Sequence, residues 1–325
     1  MTPIVAFLAA AFTLTANSGE PYYDSKQVIV PDSSCEDPDW SVYTGFGYLQ
    51  LSANEFVLNG PGPGGLLSRL DWEVRDALTY NLGVKRHLND RVAIFGEAIV
   101  SLGADDTDMY DRDWIGAPRM TDISDHSDVN LSHYFQIDAG VDFVALETQK
   151  LDVNLRLGFR YTDVAMDAYG GGFRYSTDAT TGVFFDDIGR FPDGDLSISY
   201  RQKIPGVYIA PSAEWRVTER TTFTVGGLAG VTFSAEDRDH HWARRTLFES
   251  EFESVGFYGA NIGLDHKLTD CVSAYINGDY TRYSTAVGDV TDTAYGANAG
   301  QGFTPNGGAM NLGVWQVNTG IKIKF

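Results

Sequence analysis

Cysteine is scarce: the chain has two, Cys35 and Cys271. Repeated C-x-x-C spacing for a structural metal is therefore excluded, and one disulfide is the most the pair can form within the chain. Basic residues are few as well, with 24 Lys and Arg against 44 Asp and Glu and a formal net charge of −20. Such a chain repels phosphate and releases few counterions, which argues against nucleic acid as a partner. No run approaches the roughly 18 consecutive apolar residues of a membrane-spanning helix. A G-x-S-x-G nucleophile elbow is missing, so a serine acyl-enzyme has no recognisable starting point. Disorder is excluded from the other side, because 13% aromatics and 43% hydrophobic residues are too many for an unfolded polar chain.

What is present is alternation. Trp315, Val317, Thr319, Ile321, Ile323 and Phe325 interleave with Gln316, Asn318, Gly320, Lys322 and Lys324. A strand places alternate residues on opposite faces, so this segment has one apolar and one polar face. Leu151 to Tyr161, Tyr258 to Asp265 and Val272 to Tyr280 repeat the pattern. Arg, Asp, Asn and Gly inside strands fit a wet barrel lumen better than a sandwich core. Short turns at 87–91, 147–151, 216–220 and 268–271 separate long Gly/Asp-rich stretches near 59–66, 105–129, 167–195, 236–250 and 286–309. Four short turns and five long loops predict a ten-stranded antiparallel transmembrane β-barrel, with the short turns periplasmic and the long loops extracellular. Ten strands leave a lumen largely filled by side chains, so a pore is not expected.

The apolar stretch from Ile4 to Leu14, followed by small Ala16 and Ser18, predicts a signal peptide over residues 1–18, although no Lys or Arg follows Met1. Residues 19–39 then form a periplasmic segment and residues 40–325 the barrel. This topology puts Cys35 and Cys271 on one side of the membrane, where a bridge between them is chemically permitted.

The loops hold the candidate chemistry. Asp111-Arg112-Asp113-Trp114 and Asp237-Arg238-Asp239-His240-His241-Trp242 each place carboxylates two residues apart, and in extended chain such residues share a face. A carboxylate two residues before a His can hold the imidazole in one tautomer and raise its basicity. Such a His can deprotonate water near neutral pH. Cation binding is the rival reading for Asp105, Asp106, Asp108, Asp111 and Asp113, but their spacing lacks the Gly and terminal Glu of an EF-hand loop. His126, His240 and His241 have no H-x-x-x-H helix to present them to a metal, and none is expected.

Several motifs in order resemble the omptins, outer-membrane endoproteases of Gram-negative bacteria, over about residues 40–325. They are Leu70-Asp71-Trp72, DRDW at 111–114, TDISDHSD at 121–128, GGGFRYS at 170–176, DDIGRFPDGD at 186–195 and DRDHHW at 237–242. The resemblance puts Asp111 and Asp113 on the family's catalytic aspartate pair, and Asp239 and His241 on its Asp-x-His pair. It implies an endopeptidase of the cell outer membrane, active site outward, that cleaves extracellular peptides at basic, often dibasic, sites. Glu55 and Asp237 fall on its substrate-pocket positions, where Arg or Lys would gain charge-assisted hydrogen bonds. Asp122, Ser124, His126 and Asp128 match as well, without an assigned role. The implied roles place a water between Asp111 and His241, with His241 the base, Asp239 its orienter and Asp113 a support.

The resemblance further implies contact with lipopolysaccharide through basic residues on the barrel exterior, of which Lys203 is one. The chain departs from that pattern at Asp163, where the family has Arg. No cofactor other than this lipid is expected, the partners expected are cationic peptides and outer-membrane lipid, and a monomer is expected. A catalytically silent barrel acting as adhesin or structural protein is the alternative.

Overall fold

The protein is described from a computed structural model covering residues 39–296 and 299–325. The expected signal peptide and Cys35 lie outside the described residues. Cys271 is disulfide-bonded.

The alternating segments form strands. In chain order these are β1 (Trp40–Val57), β2 (Ser68–Asn89), β3 (Val92–Ala104), β4 (Thr107–Asp113), β5 (Asp122–His126), β6 (Asp128–Glu147), β7 (Leu151–Tyr169) and β8 (Gly172–Tyr175). There follow β9 (Asp187–Arg190), β10 (Leu196–Arg216), β11 (Thr221–Thr232), β12 (Ala235–His241), β13 (Thr246–Phe252), β14 (Gly256–Lys267), β15 (Val272–Ala294) and β16 (Gly300–Lys324). Brief interruptions divide β3 from β4, β5 from β6, β7 from β8, β9 from β10, β11 from β12 and β13 from β14. Each of these pairs continues one stave, so the ring has ten staves, as the alternation predicts. Antiparallel pairing of β1 with β16, from Ser41↔Lys324 to Val57↔Gly308, closes it and leaves no free edge in the ring.

Three of the four short turns share a device. Thr148, Thr218 and Thr269 accept from the amides of Leu151, Thr221 and Val272 at 2.9, 3.0 and 3.0 Å through their hydroxyls. The threonine side chain thereby satisfies a turn amide that no strand partner reaches.

Four of the five long connections differ from expectation, because they contain strand. β4 and β5 lie inside 105–129, β8 and β9 inside 167–195, and β12 and β13 largely inside 236–250. Asp and His at alternate positions read as loop by composition, yet they follow the period-2 pattern with their inward members buried.

Two outward surfaces follow along each stave. On β10, Val207, Ile209 and Trp215 are exposed apolar residues, and on β11 Phe223, Val225 and Val231 are. Beyond them the same faces carry Arg201 and Lys203 on β10 and Glu236 and Arg238 on β12. The apolar surface is thus a band at the end of the barrel holding both β1's start and β16's end, and the strands rise past it. Among the described residues no helix is long and apolar enough to cross a membrane, which says nothing of strands.

Inside the band the lumen is packed with paired polar groups. Arg160 bonds Asp138 at 2.9 Å, while Arg156 and Lys85 both hold Asp142 at 2.7 Å. A cavity of about 220 Å³ lies among these residues, apart from the cleft described next.

Candidate active site

Above the band the wall divides. β2 continues through β4, β5, β8 and β9 on one side, while β10, β12, β13 and β15 form the other. Each wall carries one of the sequence dyads on its inner face.

On the first wall, Asp111 and Asp113 occupy alternate positions of β4 and are 4% and 6% exposed, so both carboxyls face inward. Ser68 of β2 donates to Asp111 Oδ1 at 3.0 Å. Register places Ser68, Asp113 and Asp122 in one row, and Tyr175 ends β8 beside Asp122. Arg112 points outward, where it and Arg69 clasp Asp71.

On the second wall, Asp237, Asp239 and His241 line the inner face of β12 and are all buried. His241 Nε2 is 2.7 Å from Asp239 Oδ2, and the edge of Phe248 packs on the imidazole at 5.7 Å between centroids. His240 turns to the opposite face and packs, tilted, against Trp242 at 3.7 Å between centroids. Deeper in the cleft, Tyr200 donates to Asp237 Oδ2 at 2.9 Å and lies parallel to Trp72 at 5.8 Å. Glu55 completes the acid set from β1, 5% exposed.

Burial and mutual repulsion govern the charges here. Desolvation, then the Asp239, Asp237 and Asp111 carboxylates, push Glu55 well above the usual carboxylate range. Burial and the neighbouring Asp111 push Asp113 up to about 7. Asp237 is likewise pushed up to about 7 by burial, against the hydrogen bonds of Ser250 and Tyr200. Asp111 is raised by burial, with His241, Arg244 and Ser68 pulling it back. Burial opposes a charge on His241, but Asp239 overrides it and holds the imidazole above its ordinary value. The mutual influence of Asp111 and His241 puts the two dyads in electrostatic reach of each other across the cleft.

The six residues singled out from sequence, Glu55, Asp111, Asp113, Asp237, Asp239 and His241, are therefore gathered in one buried cleft. Asp122, Ser124 and His126 join the first wall, with His126 stacked on Phe191 at 5.5 Å, whereas Asp128 is exposed on β6. Lys203 lies outside the cleft, on the barrel exterior, paired with Glu236 at 2.5 Å. Nearby Asp163 is held by Arg201 at 2.6 Å and His133 at 2.9 Å. Of the remaining acids suspected of binding a cation, Asp106 and Asp108 pair with Arg75, at 2.8 Å and 2.5 Å.

Sequence reading missed Ser68, Tyr200, Tyr175 and Arg244. Arg244 belongs to the short turn between β12 and β13, and its charge acts on Asp111, Asp113, His241 and Tyr175. Its position three residues past His241 was the available signal.

Fold and site together define an outer-membrane β-barrel with a buried acidic cleft above its apolar band. The omptin family model matches residues 37–325, and the chain belongs to that family. The motif resemblance is thereby borne out. Protease 7 proteins from two strains of Escherichia coli are 24% and 23% identical over 286 residues, spanning 86% of this chain and 88% of theirs. The crystal structure of the outer membrane protease OmpT from Escherichia coli superposes with a TM-score of 0.80 at 24% identity, covering 90% of this chain and all of that one.

Proposed function

We propose that this omptin is an endopeptidase that cleaves peptides and proteins after basic residues, using water activated between Asp111 and His241 and no acyl-enzyme. The observation that carries this reading is the facing pair of dyads: Asp111 and Asp113 on β4, Asp239 and His241 on β12, all buried on inner faces. A water between them would lose a proton to His241, made more basic by Asp239, while Asp111 orients its other hydrogen. The resulting hydroxide attacks the scissile carbonyl carbon. Protonated His241 then gives its proton to the leaving amine, which closes the cycle with one water consumed.

Arg244 and Tyr175 supply the positive charge and the hydroxyl that would meet the developing oxyanion. Burial keeps Tyr175 protonated, its value pushed up to about 12, so it can donate throughout the working range. Glu55 and Asp237 would receive the basic side chain before the scissile bond. A cationic substrate also returns these two carboxyls to their charged forms, so binding energy offsets their burial. The surplus acid around the mouth would draw cationic peptides toward the cleft.

We place the cleft on the outer face of the outer membrane, because the short turns and the apolar band lie at the opposite end. Lipopolysaccharide remains a candidate ligand of the outer surface near Lys203.

Cleavage of a fluorogenic Arg-Arg peptide by refolded barrel, with and without lipopolysaccharide, tests the reading. Activity is expected, and Asp111→Ala or His241→Ala should remove it while heat-modifiable gel mobility persists. A folded wild-type barrel inert in both conditions overturns it.

A further inference from the structure

Three buried acceptor oxygens in the lower cleft have no donor: Glu55 Oε2, Asp237 Oδ1 and Gln202 Oε1. The reading above accounts for the two carboxylates but leaves the amide unexplained. Gln202 lies on β10 directly opposite Asp237 on β12, and it is fully buried. Its Nε2 donates to Tyr200 Oη at 2.9 Å and to the backbone carbonyl of Asn311 at 3.3 Å. Asn311 follows Met310, the residue paired with Glu55 across β1 and β16. The Gln202 side chain therefore bridges the lumen from the strand pair bearing Asp237 to the strand pair bearing Glu55.

The network also fixes which way the amide points. Tyr200 has one hydroxyl hydrogen and spends it on Asp237 at 2.9 Å, so toward Gln202 its oxygen accepts. The Asn311 carbonyl accepts as well. Both N–H groups of Gln202 are thus used, and Oε1 is left without a donor. A buried amide oxygen without a donor is unfavourable, and a ligand that brings the missing hydrogen relieves that cost.

We propose that Gln202 is a specificity-determining residue, its Oε1 accepting an N–H from a guanidinium held between Glu55 and Asp237. This rests on the endopeptidase reading for the identity of the substrate. A guanidinium offers five N–H groups spread in a plane, enough for two carboxylates and a third acceptor on another side. An ammonium is compact, and its three donors cannot reach around that perimeter. The site therefore selects arginine over lysine through Gln202, while Glu55 and Asp237 select for charge.

The test titrates butylguanidinium and pentylammonium into the refolded full-length barrel by calorimetry and assays Arg- and Lys-containing peptides on the same samples. Wild type is expected to prefer butylguanidinium by roughly tenfold, the value of one good hydrogen bond. Gln202→Leu should cut that preference to about twofold or less, with pentylammonium affinity retained. Gln202→Met, also lacking an acceptor, replaces it should the leucine variant fail to fold. Equal losses for both probes, or an unchanged preference, would make Gln202 a strut for Tyr200 and overturn the assignment. Intact guanidinium preference without peptide cleavage would instead overturn the endopeptidase reading alone.

Discussion

Asp239 grips His241 through Nε2, at 2.7 Å, from two residues earlier on the same strand face. A carboxylate only accepts, so Nε2 carries the hydrogen and the lone pair for catalysis sits on Nδ1. Asp239→Asn weakens that hold and removes the charge that makes the imidazole basic. We expect kcat to fall by about 10²- to 10⁴-fold with little change in KM. Nitrogen NMR of the imidazole should show the Nε2–H tautomer dominant in wild type and mixed in the variant. An unaltered kcat would remove Asp239 from the mechanism.

The pH profile should rise through neutrality. His241 must be unprotonated to act as base, and its value is raised above the ordinary 6.5 by Asp239. Asp113 and Asp237, both pushed up to about 7, must also lose protons to serve water and cationic substrate. More than one proton therefore leaves on the acid limb, and kcat/KM should climb more steeply than a single titration between about pH 6 and 8. A maximum below pH 6 would contradict this assignment.

Asp237 should trade stability for binding. Its carboxyl holds a proton more tightly in the folded protein, about 7 against an ordinary 3.8, so stability falls as pH rises from 3.8 to about 7 and stays low above. Asp237→Asn removes that penalty. The variant should resist thermal unfolding, read by heat-modifiable mobility, better than wild type at pH 8, and equally at pH 3. Its KM for basic peptides should rise sharply.

Arg244 lowers the proton affinity of Asp111, Asp113 and His241. Arg244→Ala should move the acid limb to higher pH as well as lower kcat at its plateau, by roughly 100- to 1000-fold for a lost oxyanion partner. Tyr175→Phe should lower kcat without moving the limb. A plateau rate equal to wild type in both variants would leave the oxyanion without these partners.

On the exterior, two basic groups near the band already have an acid: Lys203 has Glu236, and Arg201 has Asp163. Lipopolysaccharide should accordingly raise peptide cleavage only weakly, by less than about twofold under moderate salt. Asp163→Arg should restore a free positive surface and a stronger response. Strong activation of the wild type would show that the ion pairs open for the lipid.

The ring was legible because lipid outside and polar packing inside impose a period of two on every stave. Trp315 to Phe325 shows it in its purest form. The cleft strands were harder to see. Asp111-Arg112-Asp113 and Asp237 to His241 keep the period but contain no apolar residue to mark a face, so composition suggested loop. Their shared orientation was nevertheless readable from the two-residue spacing. Tyr200, Gln202 and Ser68 were not readable, since each acts through a partner 37, 109 or 43 positions away in the chain. Only strand register brings such pairs together.

Closure of β1 on β16 has a consequence for when the protein can act. The two candidate dyads stand on β4 and β12, in opposite walls, and the closed ring of staves sets them face to face. A chain on its way to the membrane carries every reactive side chain yet has no assembled site. On the endopeptidase reading, closing the first stave on the last is thus also the step that completes the site.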